Sequence, residues 1–262
     1  MGVTILQQGE REPGYRLVAP LWKRKESALL IEAVTEHVYK IEMGDVNLFL
    51  IASPESLTLV DAGFPGSATV LAEALASLGR DAHDVTDILV THCHPDHAGG
   101  TAEIRQVTGG KVWMHPADGA MVSAGRAFRP YRVTAGIRNR LFARLVIRRS
   151  PQGFEPASVD EEVTPGQMIP VAGGIMALGT PGHTEGHLAF IWPGDGGVLF
   201  LGDAATHRGR LALPPINEDH SGAIQSLLLI GEQNFDTACF AHGSPIVGNA
   251  ASVFRSKWSS QR

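Results

Sequence analysis

Between positions 91 and 100 the chain reads THCHPDHAGG. His92, His94, Asp96 and His97 there bring four metal-coordinating side chains into six consecutive positions. The stretch follows the apolar run DILV (87–90) and ends on two glycines, so it reads as a turn leaving the end of a buried strand. Imidazole and carboxylate are the ligands that borderline dications such as zinc prefer. Side-chain alternation along extended backbone turns His92 and His94 to one side. Asp96 and His97 follow Pro95, where the chain bends, and face a neighbouring point. The spacing suits two adjacent ions better than one. Chance clustering is a poor alternative, because the whole chain of 262 residues holds 11 histidines.

Two ions need further ligands, and the second half of the chain supplies three candidates. His183 sits in TPGHTEGH, Asp203 in LFLGDA and His242 in CFAHGSP, each at the end of a strand-like run and followed by glycine or a small residue. Ligands on such turns are held by the sheet behind them. His37, His83, His115, His187, His207 and His220 carry no such pattern. Of these, His187 closes the GHTEGH turn and reads as a support or packing residue. Cys93 lies between two ligands, where alternation points it away from the metals.

Around this centre the chain reads as alternating strands and helices. VTEHVYKIE, VNLFLIAS and LTLVDAG form a β-branched meander from position 34 onward. SATVLAEALASLG (67–79) has helical spacing, with Ser67 as the expected N-cap and Gly79 as the stop. Strand patterns resume in GGIMALGT, HLAFIWP and GVLFLGDA, followed by a helix over 221–233 and a strand over 237–243. The order repeats in two halves, as expected for two sheets packed face to face with helices outside, within one domain over 1–262. Residues 119–154 differ. They hold eight arginines, Arg129 and Arg132 among them, and no acidic residue, while the chain as a whole has a net charge of −5. Val133, Ile137, Leu141 and Leu145 recur there every four residues, which predicts an amphipathic helix in a basic insertion. It is expected either to present a solvated face or to pack its apolar side on the cleft or on a second subunit of a homodimer. In the second case Arg129 and Arg132 would attract an anionic small-molecule substrate.

The acidic balance gives no general attraction to nucleic acid or anionic lipid. No apolar run reaches membrane-spanning length, and the start MGVTILQQGEREPGYRLVAP lacks the pattern of a signal peptide. Two distant cysteines make no disulfide framework. A cytoplasmic protein without nucleic-acid or membrane partners is the expectation.

THCHPDHAGG, TPGHTEGH, LGDA and AHGSP resemble, in order, the motifs of metallo-β-lactamase-fold hydrolases, and LVDAG (59–63) resembles that family's first motif. The resemblance covers about residues 34–248 and is nearest to the glyoxalase II and lactonase-like branch. It implies an α/β fold, a four-layer αββα sandwich with the site at one edge of the sheets. By the same resemblance His92, His94 and His183 hold a first metal, Asp96, His97 and His242 a second, and Asp203 bridges them. Asp61 orients a ligand. The implied activity is hydrolysis of an ester, thioester or lactone at two divalent ions, zinc being expected and iron or manganese alternatives. A hydroxide shared by the ions, held with help from Asp96 and Asp203, is the implied nucleophile. Thr206 stands where many lactonases of the fold carry tyrosine, and His207 beside it is a candidate proton donor to the leaving group. A mononuclear iron sulfur dioxygenase is the alternative from a different class, with β-lactamase or phosphodiesterase activity as further readings.

Overall fold

The computed structural model describes residues 31–258; the N-terminal stretch read above for a leader lies outside them, as do residues 259–262. One sheet has seven strands in chain order: Ile31–Ala33, Val38–Met43, Val46–Ala52, Leu57–Val60, Val85–Leu89, Lys111–Met114 and Glu161–Glu162. Its first four strands are antiparallel, and from Leu57–Val60 onward the pairing is parallel. The second sheet runs Ile246–Val247, Thr237–Cys239, Val198–Phe200, Leu188–Trp192, Ile175–Gly179, Met168–Ile169. Helices α1 (Ser67–Ser77), α2 (Pro95–Ala98), α3 (Thr101–Thr108) and α4 (Pro116–Ser123) belong to the first half. Helix α5 (Ile137–Leu145) lies in the insertion, and α6 (His220–Gly231) and α7 (Ala250–Trp258) lie in the second half.

Three apolar clusters show why the layers stack as they do. Phe49, Ile51, Val60 and Leu89 from the first sheet meet Leu188, Phe190, Val198 and Phe200 from the second. On the outer face of the first sheet Leu48, Leu50 and Leu59 pack with Leu71 and Leu75 of α1 and Ile104 of α3. On the outer face of the second, Ala189, Ile191 and Leu199 pack with Leu227 and Ile230 of α6 and Phe254 of α7. Strand Val46–Ala52 sends Phe49 and Ile51 inward and Leu48 and Leu50 outward, so both its faces are covered. A two-sided burial explains why its sequence is an unbroken apolar run rather than an alternating one.

One local expectation is corrected. The N-cap of α1 is Gly66, not Ser67, which is the first helical residue and is buried. The free amides of that first turn are met by Glu103 of α3, whose Oε1 accepts from Gly66 N at 2.6 Å and from Ala68 N at 3.4 Å. A carboxylate from another helix does the work expected of the local serine. Gly79 does stop the helix, in the left-handed region at φ 67°.

The insertion is helical, but its apolar stripe does not pack on the cleft. Ile137 is 78% exposed and Leu141 55%, and the buried residue of α5 is Ala143. The insertion is anchored instead by its ends. Arg126 bridges Gly153, and Arg132–Val133 pairs antiparallel with Ile216–Asn217. Among the described residues, no helix is long and apolar enough to cross a membrane.

Candidate metal centre

The site forms where strands Leu57–Val60 and Val85–Leu89 end beside the turns of the second sheet. Asp61 follows the first of these in the left-handed region, φ 65°, which aims its carboxylate along the neighbouring loop. Its Oδ1 accepts from Thr91 N and Thr91 Oγ1, both at 2.8 Å, and its Oδ2 accepts from His97 Nδ1 at 2.9 Å. Pro95 then opens α2, a single turn that carries Asp96 and His97, with the His97 ring 4.0 Å from that of His92.

Four of the five imidazoles are oriented from behind, His94 being the exception. His97 Nδ1 donates to Asp61, His183 Nδ1 to the Ile216 carbonyl at 2.9 Å and His242 Nδ1 to the Asp45 carbonyl at 2.6 Å. Thr91 Oγ1 donates to Asp61 and therefore accepts from His92 Nδ1 at 3.0 Å. With Nδ1 carrying the proton, Nε2 of each neutral ring presents a bare lone pair. The lone pairs converge. His94 Nδ1 lies 3.1 Å from His92 Nε2 and 2.9 Å from His183 Nε2. Three ring nitrogens facing one point, with at most one proton among them, form a cation site rather than a hydrogen-bond network.

A second group stands beside it. His242 Nε2 is 3.2 Å from Asp96 Oδ2, and His97 Nε2 is 3.8 Å from the same oxygen. Asp203 lies between the groups. Its Oδ2 is 3.4 Å from His183 Nε2, and its Oδ1 is 3.4 Å from His242 Nε2 and 3.7 Å from His97 Nε2. His97 Nε2 and Asp203 Oδ1 are buried with no hydrogen-bond partner. Such orphaned atoms are costly unless something coordinates them, and a dication fits both.

Electrostatics separates the two groups. Burial, and then the neighbouring imidazoles, push His92 below its ordinary range, and burial is also the main cause that lowers His94 and His183. Burial pushes His97 and His242 down too, but the carboxylates of Asp96 and Asp203, with Asp61 beside His97, outweigh it. His97 is raised to about 9 and His242 to about 10. Partial burial raises Asp96, yet His97 and His242 hold it below the usual carboxylate range. The carboxylate side of the site therefore demands positive charge, supplied by protons when no cation is there.

Supporting residues complete the centre. His187 Nε2 accepts from Asp203 N at 3.1 Å while its Nδ1 meets Thr180 Oγ1 at 2.7 Å. Gly202 makes that approach feasible. Its φ is 49°, and a Cβ there would lie 2.6 Å from Thr91 Oγ1 and 3.0 Å from His187 Nε2. Asp118 and its partners are the part that sequence reading missed. Its fully buried carboxylate accepts from Cys93 N at 3.1 Å, Thr184 Oγ1 at 2.6 Å and Gly186 N at 3.0 Å. It thereby ties the loop carrying His92 and His94 to the turn carrying His183. Arg129 Nη1 neutralises it at 2.8 Å, also reaches Glu218 Oε1 at 3.3 Å, and donates from Nη2 to the Ala117 carbonyl. In the sequence Asp118 is merely an acid in the first turn of α4, with no local signal of this role.

The substrate candidates are more dispersed. Arg129 is engaged by Asp118 rather than reaching over the metal ligands, a correction to the reading that made it a lid arginine. Arg132 lies exposed in the short strand beside Ile216–Asn217. Thr206 is buried. His207 donates from Nδ1 to the Ser244 carbonyl at 2.8 Å and rests on Phe240, 5.3 Å between ring centres. Among the described contacts none joins its ring to the ligand side chains. Phe128 of the insertion was not singled out, yet its ring lies 4.8 Å from that of His94.

Comparison with known proteins follows the same lines. The probable metallo-hydrolase YflN of Bacillus subtilis (strain 168) is 25% identical over 244 residues, 87% of this chain and 91% of that one. The hydroxyacylglutathione hydrolase of Rhodopseudomonas palustris (strain BisA53) is 32% identical over 157 residues, 59% of this chain but only 46% of that enzyme. The chain thus spans about half the length of that relative. A metallo-beta-lactamase of Cronobacter sakazakii superposes with a TM-score of 0.67 at 19% identity, covering 88% of this chain and 92% of that one, a likeness of fold alone. The family model of the metallo-beta-lactamase superfamily matches residues 41–242, which span every ligand candidate from His92 to His242. With its imidazoles and carboxylates converging as that family requires, the chain belongs to the metallo-beta-lactamase superfamily and is a divalent-metal-dependent hydrolase.

Proposed function

We propose that the substrate is an ester, thioester or lactone, cleaved at a pair of divalent ions, with zinc the expected metal. The observation that carries this reading is Asp203, one carboxylate oxygen beside each of the two ligand groups. His92, His94 and His183 would hold one ion, Asp96, His97 and His242 the other, and Asp203 would touch both. Divalent ions in such a site lower the pKa of water toward neutrality and polarise the scissile oxygen.

The chain's own part is placement. Asp61, Thr91, Ile216 and Asp45 hold protons on the rear ring nitrogens and so keep the front ones bare. Asp96, its side chain 25% exposed against 0% for His97, marks the open side, so substrate approaches past Asp96 and His242. Neither cysteine competes as a nucleophile, since burial pushes both thiols far up, with Asp118 adding to the effect at Cys93. The likeness to hydroxyacylglutathione hydrolases supports a thioester among the substrates. Because only about half of such an enzyme is matched, it says nothing of glutathione recognition.

Elemental analysis of purified protein, followed by an ester, thioester and lactone panel, tests the proposal. Two zinc ions per chain with turnover is the expected result. One iron with oxygen consumption identifies a dioxygenase and overturns it. His97→Ala and His242→Ala are each expected to lower metal content toward one ion per chain. Two ions retained in either variant would remove that residue from the second site.

A further inference from the structure

The insertion carries an open groove of about 430 Å³, lined by Tyr131, Val133, Ala143 and three arginines, Arg140, Arg144 and Arg148. We propose that this groove binds a carboxylate or phosphate carried by the substrate, at a distance from the bond that is cleaved. The inference rests on the hydrolase reading above and names the substrate class as anionic.

Three observations support it. First, the arginines are spaced four apart along α5 and the turn after it, which places them in one row. Like charges in such a row repel, and among the described residues no carboxylate relieves them. Residues 119–154 contain no acid, and among the described residues none of the three guanidinium groups makes an ion pair or side-chain hydrogen bond. In a chain of net charge −5 this is a local reversal of sign, of the kind that concentrates anions. Planar guanidinium groups also match carboxylate and phosphate oxygens in pairs.

Second, the groove is joined to the metal ligands. The Tyr131 ring lies 6.2 Å from that of Phe128, which in turn lies 4.8 Å from that of His94. The strand Arg132–Val133 pairs with Ile216–Asn217, and the Ile216 carbonyl is the acceptor that orients His183. A substrate that enters past Asp96 and His242 and lies across the half-buried Phe128 and Tyr131 would bring its other end to the arginines. Third, Arg129, the arginine expected over the site, is committed to Asp118. The free cationic groups facing this groove are Arg140, Arg144 and Arg148.

The test compares two aryl esters on metal-loaded protein, neutral 4-nitrophenyl butyrate and the anionic 4-nitrophenyl monoester of glutaric acid. The variant is Arg140→Gln/Arg144→Gln/Arg148→Gln, at exposed positions where the fold is not at stake. The expected result is a fall of roughly tenfold to a hundredfold in kcat/KM for the anionic ester, carried by KM, with the neutral ester unchanged. Rising salt should erode the same advantage in the wild type. An anionic-to-neutral ratio that is the same in both proteins overturns the inference while leaving the hydrolase reading intact. If neither ester is turned over, the hydrolase reading is what has failed. Calorimetry with glutarate then decides about the groove: binding lost in the variant supports it, and binding equal in both proteins overturns it. Arginine-dependent sedimentation with phosphatidylglycerol vesicles, without glutarate binding, would assign the row to a membrane surface and also overturn it.

Discussion

Asp203→Ala is expected to abolish hydrolysis and leave the sandwich folded. The side chain makes no hydrogen bond through Oδ1, which is buried and faces His97 and His242, while Oδ2 faces His183. Nothing in the three apolar cores depends on it. Its backbone position is set independently by the bond from Asp203 N to His187 and by the left-handed turn at Gly202. The change therefore removes the group placed to join the two ligand clusters and little else. Because the ions account for several kcal/mol of transition-state stabilisation, a fall in kcat/KM of roughly a thousandfold or more is expected. Metal content, kcat/KM and Tm measured on one preparation separate the cases. Near-wild-type turnover with both metals retained would show that the carboxylate does not link the clusters.

Asp118→Ala should do the opposite, damaging stability first and activity through it. The substitution leaves the amides of Cys93 and Gly186 and the hydroxyl of Thr184 without their acceptor, and leaves Arg129 with Glu218 and the Ala117 carbonyl but without its main carboxylate. Removing one partner of a buried charge pair costs about 3–5 kcal/mol. For a chain of this size that corresponds to a drop in Tm of roughly 10 °C. The loops carrying His92, His94 and His183 lose their common tie, so metal affinity should fall by roughly tenfold to a hundredfold, the range seen when outer partners of ligands are removed. Chelator competition reads the affinity. Asp118→Asn, which keeps an acceptor, should recover part of both losses. An unchanged Tm and unchanged metal affinity in the alanine variant would mean that the tie is incidental.

How far the sequence could be read depended on the range of the interaction. The ligand candidates were legible because each sits at the end of a strand, where local alternation and a following glycine or proline set its direction. His92, His94, Asp96 and His97 lie within one turn, so spacing alone predicts two facing points; in the structure His97 groups with Asp96 and His242 but also lies 4.0 Å from His92 between ring centres. The strands of the sandwich were legible for the same reason, since an apolar run such as VNLFLIA states that both its faces are covered. The partners were not legible. Glu103 caps a helix 37 residues before it, Asp118 meets Gly186 across 68 residues, and Arg129 reaches Glu218 across 89. Nothing in the neighbourhood of those residues selects one acid or amide over another. The choice is made when the sheets pack and bring donors and acceptors to within hydrogen-bond reach, where an unmatched buried group would be penalised. The insertion shows the same division. Its helical period and its excess of arginine belong to the sequence. Which arginine is held against a carboxylate and which three face a groove, and that the Ile137 and Leu141 side is turned to solvent, were decided by the bridge that closes the insertion on itself and by the strand that pairs it with the second half.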